Sequence, residues 1–184
     1  MDYRPIAAYL IFLVLYRISE SIVMIRVGSW KKRPKWEWTL PLVVVSFVLI
    51  LIGPVLEYIY YGASPRYISY IIGGSFFLLA TIFRVKGHLD LKKGFSMSVE
   101  RVEGQQLVET GLYRHIRHPL YLGTVCLFIA CPTFLCAKFS LGLSLLGLIA
   151  VYFRIRKEEE FLVKHMQGYK EYMNRTWALI PRVY

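Results

Sequence analysis

Apolar residues along the chain gather into five long stretches that are separated by short polar segments. In sequence order the stretches lie at about 5–24, 39–61, 67–85, 120–136 and 139–153. A helix of about 20 residues crosses the roughly 30 Å of hydrocarbon in a bilayer, so the pattern predicts an all-α polytopic membrane protein with five transmembrane helices. The last two stretches are short and closely spaced, which predicts a tight helical hairpin that turns near Ala137 and Lys138.

The composition supports the same fold class. The 184-residue chain is 56% hydrophobic and 19% charged, with a mean hydropathy of +0.44, which is too apolar for a water-soluble domain of this size. The first stretch lacks the basic start and the small-residue cleavage site of a signal peptide, so we interpret it as a true span. We therefore expect a single membrane domain over residues 1–184, with its N-terminal spans in residues 5–85.

The basic residues are distributed unevenly around the five stretches. Five follow the first stretch, seven lie in residues 84–117 and seven more in residues 154–182, whereas the other side receives only Arg4, Arg66 and Lys138. Because basic segments stay in the cytoplasm, the N-terminus is predicted to lie outside and the C-terminus inside. The net charge of +11 favours contact with anionic lipid, and this placement argues against a nucleic-acid-binding protein.

The cysteines and histidines do not form a recognisable metal or disulfide pattern. Cys126, Cys131 and Cys136 are spaced by five within one apolar stretch, which is typical of small buried side chains. The four histidines have no partners at the spacing of zinc ligands. No metal site is predicted.

Two cytoplasmic segments are long enough to build a site, the connection at 84–119 and the tail after Phe153. Residues 96–111 alternate weakly between apolar and polar types, which predicts a short extended segment or hairpin. Four glycines in the connection are interpreted as turns; they are Gly87, Gly94, Gly104 and Gly111.

The tail sequence RIRKEEEFLVKHMQGYKEYMNR predicts that the fifth helix continues into the cytoplasm until Gly168 interrupts it. Arg154 and Glu158 are four residues apart and therefore share one helix face. Two interpretations remain open. The charges either form an exposed surface pair or face a cavity at the membrane boundary.

A second polar cluster, YRHIRHPLYLG at 113–123, stands directly before the fourth apolar stretch. Pro119 suits the first turn of a helix, where free N–H groups and the nearby Gly123 allow a ligand to approach the backbone closely. The alternative is a helix start with tyrosine and arginine anchors at the membrane interface.

Three segments in order, LVETGLYRHIRHPLYLG, RIRKEEE and YKEYMNRTWALIP, resemble the isoprenylcysteine carboxyl methyltransferase family, part of a wider group that includes phospholipid methyltransferases. The resemblance covers residues 105–181 and implies a cytoplasmic pocket for S-adenosylmethionine within a catalytic core at 95–184. It implies a prenylated cysteine carboxylate as the methyl acceptor. Cofactor contacts are implied at Gln105, Gln106, Leu107, Val108, Tyr113, His118, Pro119, Leu120, Tyr121 and Glu158.

The resemblance implies that Arg154 faces the methyl acceptor, and we expect Arg154 to be the catalytic residue. An ionised carboxylate needs alignment rather than a strong base, and a planar guanidinium can align it. Two positions depart from the family pattern: Gln105 replaces a frequent histidine, and Ala178 replaces a frequent arginine. Both bear on the identity of the acceptor, and Arg175 or Arg182 are alternatives for the residue that faces it.

Other functions fit the same motifs. A phospholipid amine or a small thiol is an alternative acceptor on this scaffold, and some sterol reductases with a nicotinamide cofactor share a related C-terminal arrangement. The non-enzymatic alternative is a small membrane adaptor whose motifs serve only as interface anchors, which predicts no nucleotide binding.

Overall fold

The computed structural model describes residues 2–28, 38–62, 64–91 and 107–182. Within these ranges the chain is helical, without a strand beyond one isolated bridge between Ile116 and Trp177. The helices are α1 (Arg4–Arg26), α2 (Thr39–Tyr61), α3 (Tyr67–Leu91), a short 3-10 turn (Gly111–Arg114), α4 (Pro119–Phe134), α5 (Lys138–His165) and α6 (Tyr169–Arg175). The predicted all-α class is confirmed for the described residues.

Contacts between side chains show that α2 runs antiparallel to α5. Thr39 at the start of α2 contacts Arg154 in the second half of α5. At the other end, the Glu57 carboxylate accepts hydrogen bonds from the backbone N–H groups of Phe139 and Ser140, at 3.0 and 2.8 Å. These N–H groups belong to the first turn of α5, which has no partners within the helix for them. Glu57 therefore caps α5 from a neighbouring helix.

The helices α1 and α3 run in the same direction. Tyr9 packs edge-on against Phe77, and Glu20 binds Arg84 further along both helices. Helix α4 runs antiparallel to α3, since Gly73 faces Phe134 and Gly87 faces Leu120. The C-terminal ends of α1, α3 and α5 therefore lie at the same end of the bundle as the N-terminal ends of α2 and α4. We call this end the site end. The N-terminus of α1 lies at the opposite end.

The contact between α3 and α4 is the most extensive between any two helices, and glycines make it close. A Cβ atom added to Gly73 would lie 2.7 Å from the Cα of Phe134, and one added to Gly87 would lie 2.7 Å from a methyl carbon of Leu120. Small residues allow helix backbones to approach in membranes. The prediction of a turn at Gly87 is therefore wrong: this glycine lies inside α3 and serves helix packing.

Four helices among the described residues are long and apolar enough to cross a membrane: α1, α2, α3 and α5. The fourth apolar stretch forms α4, which has 16 residues and is therefore about 24 Å long. It is shorter than the hydrocarbon thickness of a bilayer. The predicted hairpin with α5 is confirmed, and its turn is closed by a 2.8 Å hydrogen bond from the Ala137 N–H to the Pro132 carbonyl.

The tail folds back onto the polar cluster that precedes α4. Helix α5 continues to His165, and Gly168 adopts a left-handed conformation (φ +80°) before α6 begins, which confirms the predicted interruption. Gly111 (φ +61°) also confirms its predicted turn. Gly94, Gly104 and most of the predicted extended segment at 96–111 lie outside the described residues.

Backbone hydrogen bonds hold the tail in this position. The Arg117 N–H donates to the Trp177 carbonyl at 2.8 Å, and the His118 N–H donates to the Ala178 carbonyl at 3.0 Å. In addition, the Tyr172 hydroxyl donates to the Tyr113 carbonyl at 2.6 Å. The residues after α6 are thereby fixed beside the start of α4 at the site end.

Candidate active site

The hydroxyl group of Tyr121 connects the two charges that the sequence places on one face of α5. Arg154 Nε donates a hydrogen bond to this hydroxyl at 3.1 Å, and the hydroxyl donates to Glu158 Oε2 at 2.7 Å. Because both side chains reach the same atom, their predicted common face is confirmed. Tyr121 comes from α4, so the contact ties the two arms of the hairpin together.

Arg154 is buried, with 4% of its surface exposed. Besides Tyr121 it contacts Thr39, whose hydroxyl oxygen accepts a hydrogen bond from Arg154 Nη1 at 3.0 Å. A buried guanidinium is costly unless hydrogen bonds replace its lost water. Of the two interpretations left open by the sequence, burial excludes the exposed surface charge for Arg154.

The neighbouring Glu159 occupies a different environment from Glu158. Glu159 is buried and accepts hydrogen bonds from Arg117 Nε at 2.7 Å and from His118 Nε2 at 3.1 Å. Arg117 also donates to the backbone carbonyls of Met173 and Thr176 in the tail. Glu159 therefore anchors the tail, whereas the half-buried Glu158 faces Tyr121.

The remaining predicted cofactor residues belong to the start of α4 and to the segment before the 3-10 turn. Pro119 begins α4, as its sequence position suggests, and Leu120 packs against Gly87 of α3. Leu107 and Val108 are half-buried, and Leu107 lies 3.9 Å from the Cβ position of Gly168. Gln105 and Gln106 lie outside the described residues.

Three tyrosines of the tail and of the turn before α4 are buried: Tyr113, Tyr169 and Tyr172. Burial raises the pKa of Tyr172 to about 12, and it raises the pKa of Tyr113 and Tyr169 further. The negative charge of Glu158 adds to the increase in pKa at Tyr113 and Tyr169. All three remain neutral at physiological pH.

This donor set suits S-adenosylmethionine. The half-buried Glu158 carboxylate offers oxygen atoms to ribose hydroxyls or to an amino group. The Tyr121 hydroxyl donates to that carboxylate, and the aromatic rings of Tyr121 and Tyr113 suit a sulfonium cation. The described residues 2–28, 38–62, 64–91 and 107–182 contain no group of three His, Cys, Asp or Glu side chains placed to hold a metal ion.

The alternative arginines lie in different surroundings. Arg175 donates to both carboxylate oxygens of Glu109, at 2.6 and 2.7 Å, and 59% of its side chain is exposed. Arg182 is exposed and has a left-handed backbone (φ +68°). Ala178 is buried, and its carbonyl accepts a hydrogen bond from the His118 N–H. An alanine in place of the frequent arginine therefore leaves this buried position of the tail without a charge.

A second buried ion-pair cluster lies between α1 and α3, next to the hairpin. Glu20 is 1% exposed and binds Arg84 Nε at 2.6 Å and Arg17 Nη1 at 2.5 Å. The aliphatic part of Arg84 lies against Gly123 of α4, where an added Cβ would come within 2.8 Å of Arg84 Cγ. This cluster fixes α1 to the helix pair that carries the polar motif.

Sequence reasoning did not identify four residues at this end of the molecule: Thr39, Arg117, Glu159 and Glu20. Glu159 and Arg117 carried a signal, since both belong to the motifs that were recognised. Thr39 carried none, because its partner is 115 residues away in the sequence and a single threonine at the start of an apolar stretch is common.

The profile of the isoprenylcysteine carboxyl methyltransferase family matches residues 70–164, slightly more than half of the chain. Among solved structures, the chain is similar to the eukaryotic intramembrane Ras methyltransferase ICMT (isoprenylcysteine carboxyl methyltransferase) without a monobody, with a TM-score of 0.77 at 21% identity. This similarity covers 98% of our chain and 67% of the other. The comparison with curated proteins gives no match. At 21% identity the solved structure supports the fold alone. The family profile includes α4 and both Arg154 and Glu158. The chain belongs to the isoprenylcysteine carboxyl methyltransferase family.

Proposed function

We propose that this protein transfers a methyl group from S-adenosylmethionine to the C-terminal carboxylate of a prenylated cysteine. The observation that carries the proposal is the arrangement of Arg154 and Glu158 around the Tyr121 hydroxyl, within the part of the chain that matches the family. Glu158 suits the cationic cofactor and Arg154 suits the anionic carboxylate of the acceptor. Because one hydroxyl binds both side chains, the two ligands would be held close together.

Glu158 and its surroundings are proposed to hold the cofactor. When bound, S-adenosylmethionine supplies an electrophilic methyl group on a sulfonium cation. Glu158 accepts hydrogen bonds from polar groups of the cofactor, and the rings of Tyr113 and Tyr121 provide aromatic surface for the cation. Leu107, Val108 and Leu120 contribute apolar surface. His118 is the N-cap residue of α4 and Pro119 is its first residue, so the cofactor can approach the backbone there. Gln105 and Gln106 remain proposed contacts from the sequence.

Arg154 is proposed to orient the acceptor carboxylate. The carboxylate is ionised at neutral pH, so it does not need to lose a proton before it attacks the methyl carbon. It needs a fixed direction of approach and a site without competing water. The burial of Arg154 supports a site without competing water. A guanidinium shielded from solvent also interacts more strongly with an anion than one in bulk water, which favours a fixed direction of approach.

The prenyl chain is proposed to enter from the bilayer while the cofactor arrives from the cytoplasm. Supporting this, the cluster lies at the site end, where the polar motif precedes α4 and the tail follows α5. The alternating direction of the helices supports α4 as a fifth crossing, with the N-terminus outside and the tail in the cytoplasm. The clustering of basic residues on the site-end segments agrees with this orientation.

The test is transfer of a labelled methyl group to a panel of acceptors by protein purified in detergent. We expect transfer to N-acetyl-S-farnesylcysteine and none to its carboxamide, to phosphatidylethanolamine or to an alkyl thiol. The rate should be nearly constant from pH 7 to 9, because a carboxylate is already ionised, whereas an amine acceptor gives a rate that rises with pH. Transfer to the amine or the thiol with none to the carboxylate would refute the proposal, as would binding of a nicotinamide nucleotide in place of S-adenosylmethionine.

A further inference from the structure

The first residue of α2 reaches into the candidate site from outside the region that matches the family. Thr39 is fully buried, and its hydroxyl oxygen accepts the hydrogen bond from Arg154 Nη1 at 3.0 Å. The family profile begins at residue 70. The N-terminal helices therefore contribute a side chain to a cluster whose other members lie on α4 and α5.

The contact determines how the guanidinium is oriented. Two of its three nitrogen atoms are fixed, Nε by the hydroxyl of Tyr121 and Nη1 by the hydroxyl of Thr39. Because a guanidinium is planar and rigid, fixing two nitrogens fixes the plane and the direction of the third. Two anchors from separate helices thus give Arg154 one orientation before any acceptor binds, and such preorganisation lowers the cost of aligning a reactant.

The position of α2 does not depend on this hydroxyl alone. The indole ring of Trp38 packs against Phe153 at a centroid distance of 6.3 Å, and Lys157 Nζ lies 5.5 Å from the centre of the same indole. At the far end, Glu57 binds the start of α5. Loss of the Thr39 hydroxyl therefore removes an anchor of Arg154 while the contact between α2 and α5 remains.

We propose that Thr39 is a positioning residue for methyl transfer, which acts by holding the Arg154 guanidinium in the direction of the acceptor carboxylate. The inference rests on the proposed function of Arg154. It assigns a role in the reaction to α2, and it predicts that the acceptor, rather than the cofactor, is affected when the hydroxyl is lost.

The test compares Thr39→Val, which keeps the shape of the side chain and removes the hydroxyl, with Thr39→Ser, which keeps the hydroxyl. Measurements are kcat and KM for N-acetyl-S-farnesylcysteine, the Kd for S-adenosylmethionine by titration, and the Tm in detergent. For Thr39→Val we expect kcat/KM for the acceptor to fall about tenfold, the size of one lost hydrogen bond to a charged group, with the cofactor Kd within twofold of wild type. Thr39→Ser should recover most of the loss, and Thr39→Ala replaces Thr39→Val if the latter does not fold.

A double variant separates positioning from a general structural effect. If Thr39 acts through Arg154, then Thr39→Val should cause no further loss in an Arg154→Ala background. The inference is overturned if wild type and Thr39→Val have equal kcat/KM, if Thr39→Ser is as impaired as Thr39→Val, or if the tenfold loss persists without Arg154. An inactive wild type with every prenylcysteine acceptor would instead refute the proposed function on which the inference rests.

Discussion

At the scale of single residues, the C-terminal half of α5 carries charged side chains that are close in sequence but lie in different environments. Arg154 and Glu158 meet at the Tyr121 hydroxyl, while Glu159 points to Arg117 on the other side. A helix turns by about 100° per residue, so adjacent residues cannot share a face. Of the three glutamates at 158–160, Glu158 therefore faces the candidate cofactor site, Glu159 holds the tail and Glu160 is exposed.

Replacing Arg154 should separate binding from turnover. We expect Arg154→Ala to bind S-adenosylmethionine within a few fold of wild type and to lose on the order of a hundredfold or more in turnover, because alignment and charge at the acceptor are lost. Arg154→Lys should recover only part, since an ammonium group keeps the charge without the planar fork. Cofactor titration and methyl transfer on the same preparation measure both. Near-normal turnover in Arg154→Ala would move the role to Arg175 or Arg182.

Replacing the two adjacent glutamates should give opposite results. Glu158→Ala should weaken cofactor binding by about 1.5 to 3 kcal/mol, or roughly tenfold to a hundredfold, through lost charge-assisted hydrogen bonds. Glu159→Ala should instead destabilise the fold by about 3 to 5 kcal/mol, because Arg117 and His118 lose their buried partner. Titration and thermal denaturation of each variant distinguish the effects. A reversal of the two results would show that the helix phase assigned to the site is wrong.

The shared face of Arg154 and Glu158 and the start of α4 before Tyr121 could be predicted from the sequence, because local spacing reflects spatial position within a helix. Four residues along a helix fix a shared face, and a proline after a polar run fixes a helix start. Thr39 and Glu20 could not be predicted in this way. Their partners lie 115 and 64 residues away, so only the packing of helices brings them together.

At the scale of helices, the close contact between α3 and α4 holds the polar motif in place. The side of α3 that faces α4 carries Gly73 and Gly87, where even a methyl group would overlap with the neighbouring helix. By contrast, a Cβ atom at Gly74 would meet nothing within 4 Å. Adjacent glycines of one helix therefore have different structural roles.

This difference predicts the outcome of two alanine substitutions. Gly73→Ala should destabilise the protein by about 1 to 3 kcal/mol, since the added methyl collides with the backbone of Phe134. Gly74→Ala is the matched control, and it should be neutral or slightly stabilising because alanine favours the helix. Thermal denaturation in one detergent compares them. Equal Tm values for the two variants would contradict the helix contact described.

The four long apolar helices could be predicted from hydropathy, because a helix of about 20 apolar residues is needed to cross a bilayer. The limits of these helices at the site end could not be predicted. Helix α3 continues to Leu91, six residues beyond the predicted end at 85, because its last turns pack on α4 instead of lipid. Glycine is a turn signal when it is exposed and a packing residue when it is buried, and the sequence alone does not distinguish the two cases at Gly87.

At the scale of the whole molecule, the alternating helices put the two termini of the bundle at opposite ends. Among the described residues, Arg84, Arg117 and Arg154 lie toward the site end, while Arg66 and Lys138 lie toward the other end. Because basic segments remain in the cytoplasm, we predict that the site end faces the cytoplasm.

Cysteine labelling in intact cells tests this orientation. In a background without the three native cysteines, Ser64→Cys places a thiol in the exposed connection between α2 and α3, and Gln167→Cys places one in an exposed turn before α6. An impermeant reagent added outside should label position 64 and leave position 167 unlabelled until the cells are opened. Labelling of position 167 in intact cells would reverse the orientation and place the cofactor site on the wrong side for cytoplasmic S-adenosylmethionine.

The most direct test of the proposed chemistry is the alkaline stability of the labelled product. A methyl group transferred to a carboxylate forms an ester, whereas transfer to an amine or a thiol forms a bond that resists mild base. Product made from S-adenosylmethionine with a labelled methyl group and farnesylcysteine is treated with base, and volatile methanol is counted. The account predicts that nearly all of the label is released as methanol. Label that stays on the acceptor after this treatment would contradict carboxyl methylation by this protein.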